Sequence, residues 1–203
     1  MTLCGGEELR VEDLARLLVA GDDGFLLQRR LSPPGDWTTN FGPRLCSVRV
    51  VVHLTTAGAS VHRAVLKLAI GNNPADNFWR AGNMLGAVDV RSGRVQRVVA
   101  GTGLGMTVDA PHPDTGRPII GTLIPDWQCL TSMVETASQV FPGIRTQSWD
   151  IAIADRGMVP LEVNWGGDLN LAQLAYGAGV LDDDYRRHLR SCGYRFRARE
   201  PKS

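Results

Sequence analysis

Asp150, Glu162 and Asn164 are the residues of this chain whose types and spacing could do chemistry. They fall in Trp149–Asn164, where two runs of alternating character flank Asp155-Arg156-Gly157. That pattern predicts two antiparallel strands joined by a turn. With the turn centred on Arg156, Asp150 lies opposite Glu162, and Asn164 shares their face because side chains two apart in a strand point the same way. The other face is Trp149, Ile151 and Ile153 against Val159, Leu161 and Val163, all apolar. Opposed residues on one face stand roughly 5 Å apart at Cβ. Two carboxylates that close repel unless a cation lies between them. An all-oxygen set of Asp, Glu and Asn suits a hard cation such as Mg²⁺, with phosphate oxygens completing its shell.

Arg49 and Lys67 repeat this logic with the opposite charge. Cys46–Leu54 and Val61–Ile70 read as a long hairpin around Gly58. Centred there, Arg49 faces Lys67, His53 faces Arg63 and Val51 faces Val65, while the reverse face pairs Val48 with Leu68, Val50 with Leu66 and Val52 with Ala64. Like charges directly opposite destabilise a sheet. An anion between them would relieve this, Arg offering a fork for phosphate oxygens and Lys a point charge. The alternative is that both point to water from an exposed face. Taken together, a metal site and a phosphate clamp on antiparallel hairpins describe a nucleoside triphosphate site.

Several further elements must position these hairpins. Arg10–Ala20 has helical spacing and is stopped by Gly21-Asp22-Asp23-Gly24. Phe25-Leu26-Leu27-Gln28 reads as a strand and Ser32-Pro33-Pro34-Gly35-Asp36 as a loop. Gly86–Val90 and Val95–Ala100 form a hairpin across Ser92-Gly93. Gly101–Pro118 is a Gly/Pro-rich excursion without periodicity. Helices are predicted over Gln128–Phe141, Leu169–Tyr176 and Asp182–Leu189, the last opened by carboxylates that favour the positive end of its dipole. Strands first, then helix, hairpin and helices, imply an α+β fold with a largely antiparallel sheet and packed helices. We expect one domain over residues 1–203, with 197–203 a frayed tail.

Bulk composition excludes several classes. Basic and acidic residues nearly cancel, 22 against 21, with no long run of either sign, so nothing argues for a nucleic-acid or membrane partner. The apolar runs are too short to span a bilayer, and the first residues do not read as a signal peptide. Cys4, Cys46, Cys129 and Cys192 have no metal-ligand spacing and read as reduced, mostly buried thiols of a cytoplasmic protein. Gly101-Thr102-Gly103-Leu104-Gly105 lacks the following helix that a phosphate loop needs. His112 reads as a turn residue, His53 and His62 as needing no special role, and Trp79, Trp127, Trp149 and Trp165 as core or rim packing.

The chain resembles the C-terminal half of sugar-transfer-associated ATP-grasp proteins, relatives of the α-L-glutamate ligases. The stretches that carry the likeness are Leu26-Leu27-Gln28, Ser47-Val48-Arg49-Val50-Val51, Val65-Leu66-Lys67-Leu68, Asp76-Asn77-Phe78, His112-Pro113-Asp114-Thr115-Gly116, Ile124-Pro125, Trp149–Ile153 and Pro160-Leu161-Glu162-Val163-Asn164. Glu-x-Asn downstream of an Asp is shared widely among ATP-grasp enzymes. Asp-Asn-Phe and His-Pro-Asp-Thr-Gly are narrower to the sugar-transfer branch.

The resemblance implies a site. Asp150, Glu162 and Asn164 would hold Mg²⁺, one ion or two, against the phosphates of ATP. Arg49 would touch the γ-phosphate or acyl-phosphate, and Lys67 the phosphate or acceptor site. Leu27, Gln28 and Arg29 fall where the hinge strand meets adenine, with Leu161 covering it. Asn77 lies in the loop that supports the phosphates or second substrate. The implied reaction joins an unknown carboxylate substrate to an amine (or thiol) acceptor through an acyl-phosphate. The sequence also departs from the family pattern. Its lysines are Lys67 and Lys202, so the two phosphate-gripping lysines of the N-terminal half have no candidate here. Trp79-Arg80-Ala81-Gly82 stands where paired glycines are usual, and Arg29-Arg30 where an acidic residue is common. We therefore expect a half-built nucleotide site, binding ATP weakly or not at all until a separate chain or segment supplies the other half. The alternative is a truncated, non-catalytic remnant acting as a binding or interaction module.

Overall fold

The alternation of valines with polar residues around Arg49 and Lys67 makes the two central strands of a sheet. The computed structural model describes residues 10–20, 28–101 and 103–196. The chain divides into two units, residues 1–31 and 32–203. In the first, Val11–Ala20 forms α1, with Glu12 and Asp13 in its first turn where the helix dipole favours acids. Phe25, Leu26 and Leu27 of the expected strand lie outside the described residues, and Gln28 is in no strand. The tail 197–203 also lies outside them.

The second unit is built on seven strands: β1 (Ser47–Thr55), β2 (Gly58–Leu68), β3 (Met84–Val88), β4 (Val95–Ala100), β5 (Thr107–Val108), β6 (Thr146–Ala154) and β7 (Gly157–Trp165). Their order is β5-β4-β3-β2-β1-β6-β7, and every pairing is antiparallel. The fold is thus α+β, as the element order implies. On one face α2 (Gly35–Phe41) and α3 (Trp127–Ser138) cover the sheet, their Trp37, Phe41, Trp127 and Leu130 packing into the core with Val48, Val50, Leu66 and Ile151. On the other, α4 (Leu169–Tyr176) and α5 (Asp183–Ser191) bring Leu171, Ala175 and Tyr185 against Val65, Leu85 and Val99. The helix α2 takes in Gly35 and Asp36, the last two residues of the expected loop, while Ser32–Pro34 lie outside regular structure. Pro34 suits the position before it, its carbonyl accepting from the Thr38 amide and hydroxyl, and burial of Trp37 and Phe41 anchors the turns.

The β1–β2 register differs from the one centred on Gly58. Arg49 stands opposite Val65, and Ser47 opposite Lys67. Thr55 pairs with Gly58, so the turn is Thr56-Ala57. Because the side-chain period is two, a slip of two residues keeps Arg49 and Lys67 on one face while making them diagonal neighbours. A bulge between Val51 and Val52 then leaves His62 as the extra residue and sets His53 opposite Ser60 rather than Arg63.

In β6–β7, Asp150 pairs with Glu162 and Ser148 with Asn164. The turn is the two-residue Asp155-Arg156, one residue shorter than expected. A bulge between Asp150 and Ile151 restores the register by leaving Leu161 unpaired. The expected apolar face is therefore corrected near the turn. Met158 and Pro160 stand opposite Ile153 and Ile151, Val159 stands opposite Ala152, and Leu161 is 51% exposed.

The cysteine expectation also changes. Cys46 is buried, its thiol pushed up to about 12 by that burial, whereas Cys129 and Cys192 are exposed. No helix among the described residues is long and apolar enough to cross a membrane.

Candidate functional site

The sheet face that carries α4 also carries a cleft of about 400 Å³, floored by β1, β2 and β6 and walled by the loop after β2 and the bulged part of β7. Arg49, Lys67, Asn77, Asp150, Leu161 and Glu162 all line it. Adjacency of β1 and β6 sets Arg49 directly opposite Asp150. The guanidinium grips that carboxylate as a fork, Nε donating to Oδ1 at 2.7 Å and Nη2 to Oδ2 at 2.8 Å. Lys67 Nζ donates to Asp150 Oδ2 at 3.0 Å and lies 3.2 Å from Asp76 Oδ1. The Ser47 hydroxyl, opposite Lys67 in the register, donates to the other Asp76 oxygen.

These contacts explain the charge states. Burial alone would raise the Asp150 carboxyl, but the Arg49 fork and the Lys67 charge hold it below the usual carboxylate range. The hydrogen bond to Asp150 in turn lifts Arg49 above its ordinary value, against the effect of burial. So the expected repulsion between Arg49 and Lys67 is relieved from inside the protein. Asp150 and Lys67 are 4% and 7% exposed.

Glu162 is different. Its carboxylate extends towards solvent, 4.0 Å from Arg49 Nη2, and accepts from Asn164 Nδ2 at 3.1 Å. Among the described residues no group of three His, Cys, Asp or Glu side chains is placed to hold a metal ion. The Asp150 oxygens are turned to the two cations. Gln28 and Arg29 are exposed and outside regular structure, and Leu27 is outside the described residues.

The loop contributes residues that sequence reasoning missed. Asp76 is the second partner of Lys67. Asn83, buried just before β3, clamps the loop: its Nδ2 donates to the carbonyls of Ala75 (2.8 Å) and Asn77 (2.7 Å), while its Oδ1 accepts from the Ile70 amide and from Asn73. Asn77 Oδ1 accepts from the Trp79 amide. Asp168 lines the cleft and caps α4 by accepting from the Asn170 amide. An Asp just before an apolar helical run is a legible cap signal. Nothing in one sequence marks Asn83. The cleft lining thus holds Arg49 and Lys67 against four carboxylates, Asp76, Asp150, Glu162 and Asp168.

Two other clusters have structural explanations. The His112–Gly116 stretch is a closed turn, the Gly116 amide bonding the His112 carbonyl. Its Asp114 accepts from the Gly71 amide and its Thr115 hydroxyl donates to the Asn40 carbonyl, tying α2 to the end of β2. His53 stacks between His62 (4.3 Å) and His188 (4.1 Å), with Tyr185 at 4.6 Å, so the rings form the seat of α5. Of the tryptophans, Trp127 and Trp149 are buried whereas Trp79 and Trp165 are exposed.

No curated protein and no solved structure gives a significant match to the chain. The sugar-transfer associated ATP-grasp family matches it over residues 18–186, most of its length. That match agrees with the antiparallel α+β architecture and carries with it ATP binding and an ATP-grasp-type, ligase-like function in a sugar-related context. The chain belongs to the sugar-transfer associated ATP-grasp family.

Proposed function

We propose that the cleft between β1, β2, β6 and β7 is one wall of a Mg-ATP site serving a carboxylate–amine (or thiol) ligase. The observation that carries this reading is the convergence of Arg49, Lys67, Asp150 and Glu162, from three hairpin strands and a bulged fourth, on one cleft. The donor chemistry fits a hard divalent cation: Glu162 presents oxygen to the open cleft, Asn164 donates to that carboxylate from the same strand, and Asp150 stands opposite Glu162 in register. Bound Mg²⁺ supplies charge neutralisation on the phosphates.

In this reading Arg49 and Lys67 face the transferring phosphoryl group. A carboxylate oxygen of the substrate attacks the γ-phosphorus and ADP leaves. The amine then attacks the acyl carbon, phosphate leaves, and the amine proton is released. The chain supplies alignment and charge stabilisation. Asn77, held by the Asn83 clamp, supports the phosphates or the second substrate. Leu161, set outward by its bulge, covers adenine. A second, lysine-bearing sheet from another segment or chain completes the sandwich.

Calorimetric titration with ATP into the millimolar range, with Mg²⁺ present, tests this. Saturable binding is expected, weakened at least tenfold, about 1.4 kcal/mol, by Arg49→Ala and by Glu162→Gln. Absence of binding, or binding that neither substitution alters, overturns it.

A further inference from the structure

Asp150 gives one carboxylate to two cations. It accepts three charge-assisted bonds, two from Arg49 and one from Lys67. The carboxylate fills the side-on fork of the guanidinium and neutralises its charge, leaving a phosphate only the end-on Nη1–Nη2 edge. The cleft also carries four carboxylates against two cations, so an anion approaching it alone meets net negative charge. The same cleft that we read as a phosphate site therefore holds its cations against Asp150 as it stands.

We propose that Asp150 is a releasable counter-ion: a divalent cation that draws its carboxylate towards Glu162 frees the Arg49 fork, so that anion binding in this cleft is conditional on the metal. This rests on the Mg-nucleotide reading above and states how that site is regulated. Asp150 and Glu162 are already cross-strand partners, so the exchange needs a side-chain rotation and no shift of strands. The two cations respond differently. Lys67 keeps Asp76, which the Ser47 hydroxyl and the Asn83-clamped loop hold in place. Arg49 keeps Glu162, at 4.0 Å, which is the carboxylate the metal also takes, and the longer-range charge of Asp168, but no bonded partner of its own. Arg49 is thus the group released, and Lys67 stays fixed. By linkage, the factor by which metal raises affinity for ATP is the factor by which ATP raises affinity for metal.

The experiment titrates ATP into the full chain in EDTA and in Mg²⁺, for wild type, Asp150→Asn and Asp150→Asn/Arg49→Ala. Wild type is expected to bind only with Mg²⁺. Asp150→Asn keeps the shape and removes the charge, so it should bind ATP in EDTA with less than a threefold change on adding Mg²⁺. The double variant should lose that metal-free binding. Should Asp150→Asn fail to fold, the Arg49 Nε–H resonance of the wild type provides the second measurement, and it is expected to move on saturation with Mg²⁺ before any ATP is added. Equal wild-type binding in EDTA and Mg²⁺ overturns the counter-ion exchange. So does Mg²⁺-dependent wild-type binding with no metal-free binding by folded Asp150→Asn, or an Arg49 resonance unmoved by Mg²⁺; these two leave the nucleotide reading intact. Wild type that binds ATP under neither condition overturns both.

Discussion

Lys67 and Asp150, 83 residues apart in the chain, place an ammonium and a carboxylate 3.0 Å apart in the floor of the cleft. Asp76 stands on the other side of the same ammonium at 3.2 Å. A buried cation between two carboxylates is stable only while all three are present. The arrangement makes Lys67 a structural keystone as well as a candidate phosphate contact.

Lys67→Ala should therefore cost about 3 kcal/mol of stability, because it leaves Asp76 and Asp150 close together in a buried site. Adding Asp76→Ala should recover part of that loss. Urea unfolding of the single and double variants reads the coupling, expected at about 1–3 kcal/mol. Additive losses would mean that Lys67 and Asp76 are neighbours without an energetic interaction.

Asn83→Ala removes four hydrogen bonds from a buried side chain that ties the loop carbonyls of Ala75 and Asn77 to the start of β3. The expected cost is about 2–4 kcal/mol, since the partners left behind are partly buried. Hydrogen exchange should quicken in the loop and at the Ile70 amide while protection of β6 persists. Uniform loss of protection across the sheet would show that the clamp is not local.

Gly167 joins β7 to α4 at a left-handed φ of 51°, where an added Cβ would lie 2.9 Å from Ser148 Cβ and clash harder with the Ser148 hydroxyl. Gly167→Ala should cost about 1–3 kcal/mol from strain and overlap together. Ser148→Ala in that background removes the hydroxyl and should restore part of the loss. A melting temperature unchanged by Gly167→Ala would contradict the packing of this junction.

Acid should loosen the seat of α5. Burial is the largest cause lowering His53, His62 and His188 below the imidazole value of 6.5, His53 to about 3. His53 Nε2 and His188 Nδ1 have no hydrogen-bond partner among the described residues, while Arg63, Asp182, Arg145, Cys192 and Asp184 border the stack. The unfolded chain then binds more protons than the native one below pH 6.5. Stability is full above that value and falls as pH drops, His53 contributing a slope near 1.4 kcal/mol per pH unit down to about 3 and His62 and His188 adding losses of the same sign. The depressed Asp150 carboxyl adds a further loss as pH falls through its native value. Urea midpoints from about pH 7.5 down to about 4.5 measure the slope. His53→Phe, which keeps an aromatic ring without a basic nitrogen, should flatten it, and an unchanged slope would rule out the stack as its source.

The sequence by itself determined which face the four charged residues of the site take. Period-two alternation put Arg49 and Lys67 together, and Asp150 with Glu162, because a residue's face depends only on its parity along a strand. Helices α3, α4 and α5 were equally legible from apolar spacing and acidic starts. Local pattern could not fix the partner across the strand. A two-residue slip in β1–β2 leaves every face intact, so Val65 rather than Lys67 stands opposite Arg49. Nor could it foresee the bulges that expel Leu161 and His62, which no single alternation encodes. The pairing of β1 with β6 decided the site. That contact sets Arg49 against Asp150 across 101 residues, and both hairpins bury their apolar faces in one core while lying edge to edge. Strand neighbours of this kind follow from how the whole core closes, and only the tertiary structure could turn a presumed anion clamp into a cation pair already holding a carboxylate.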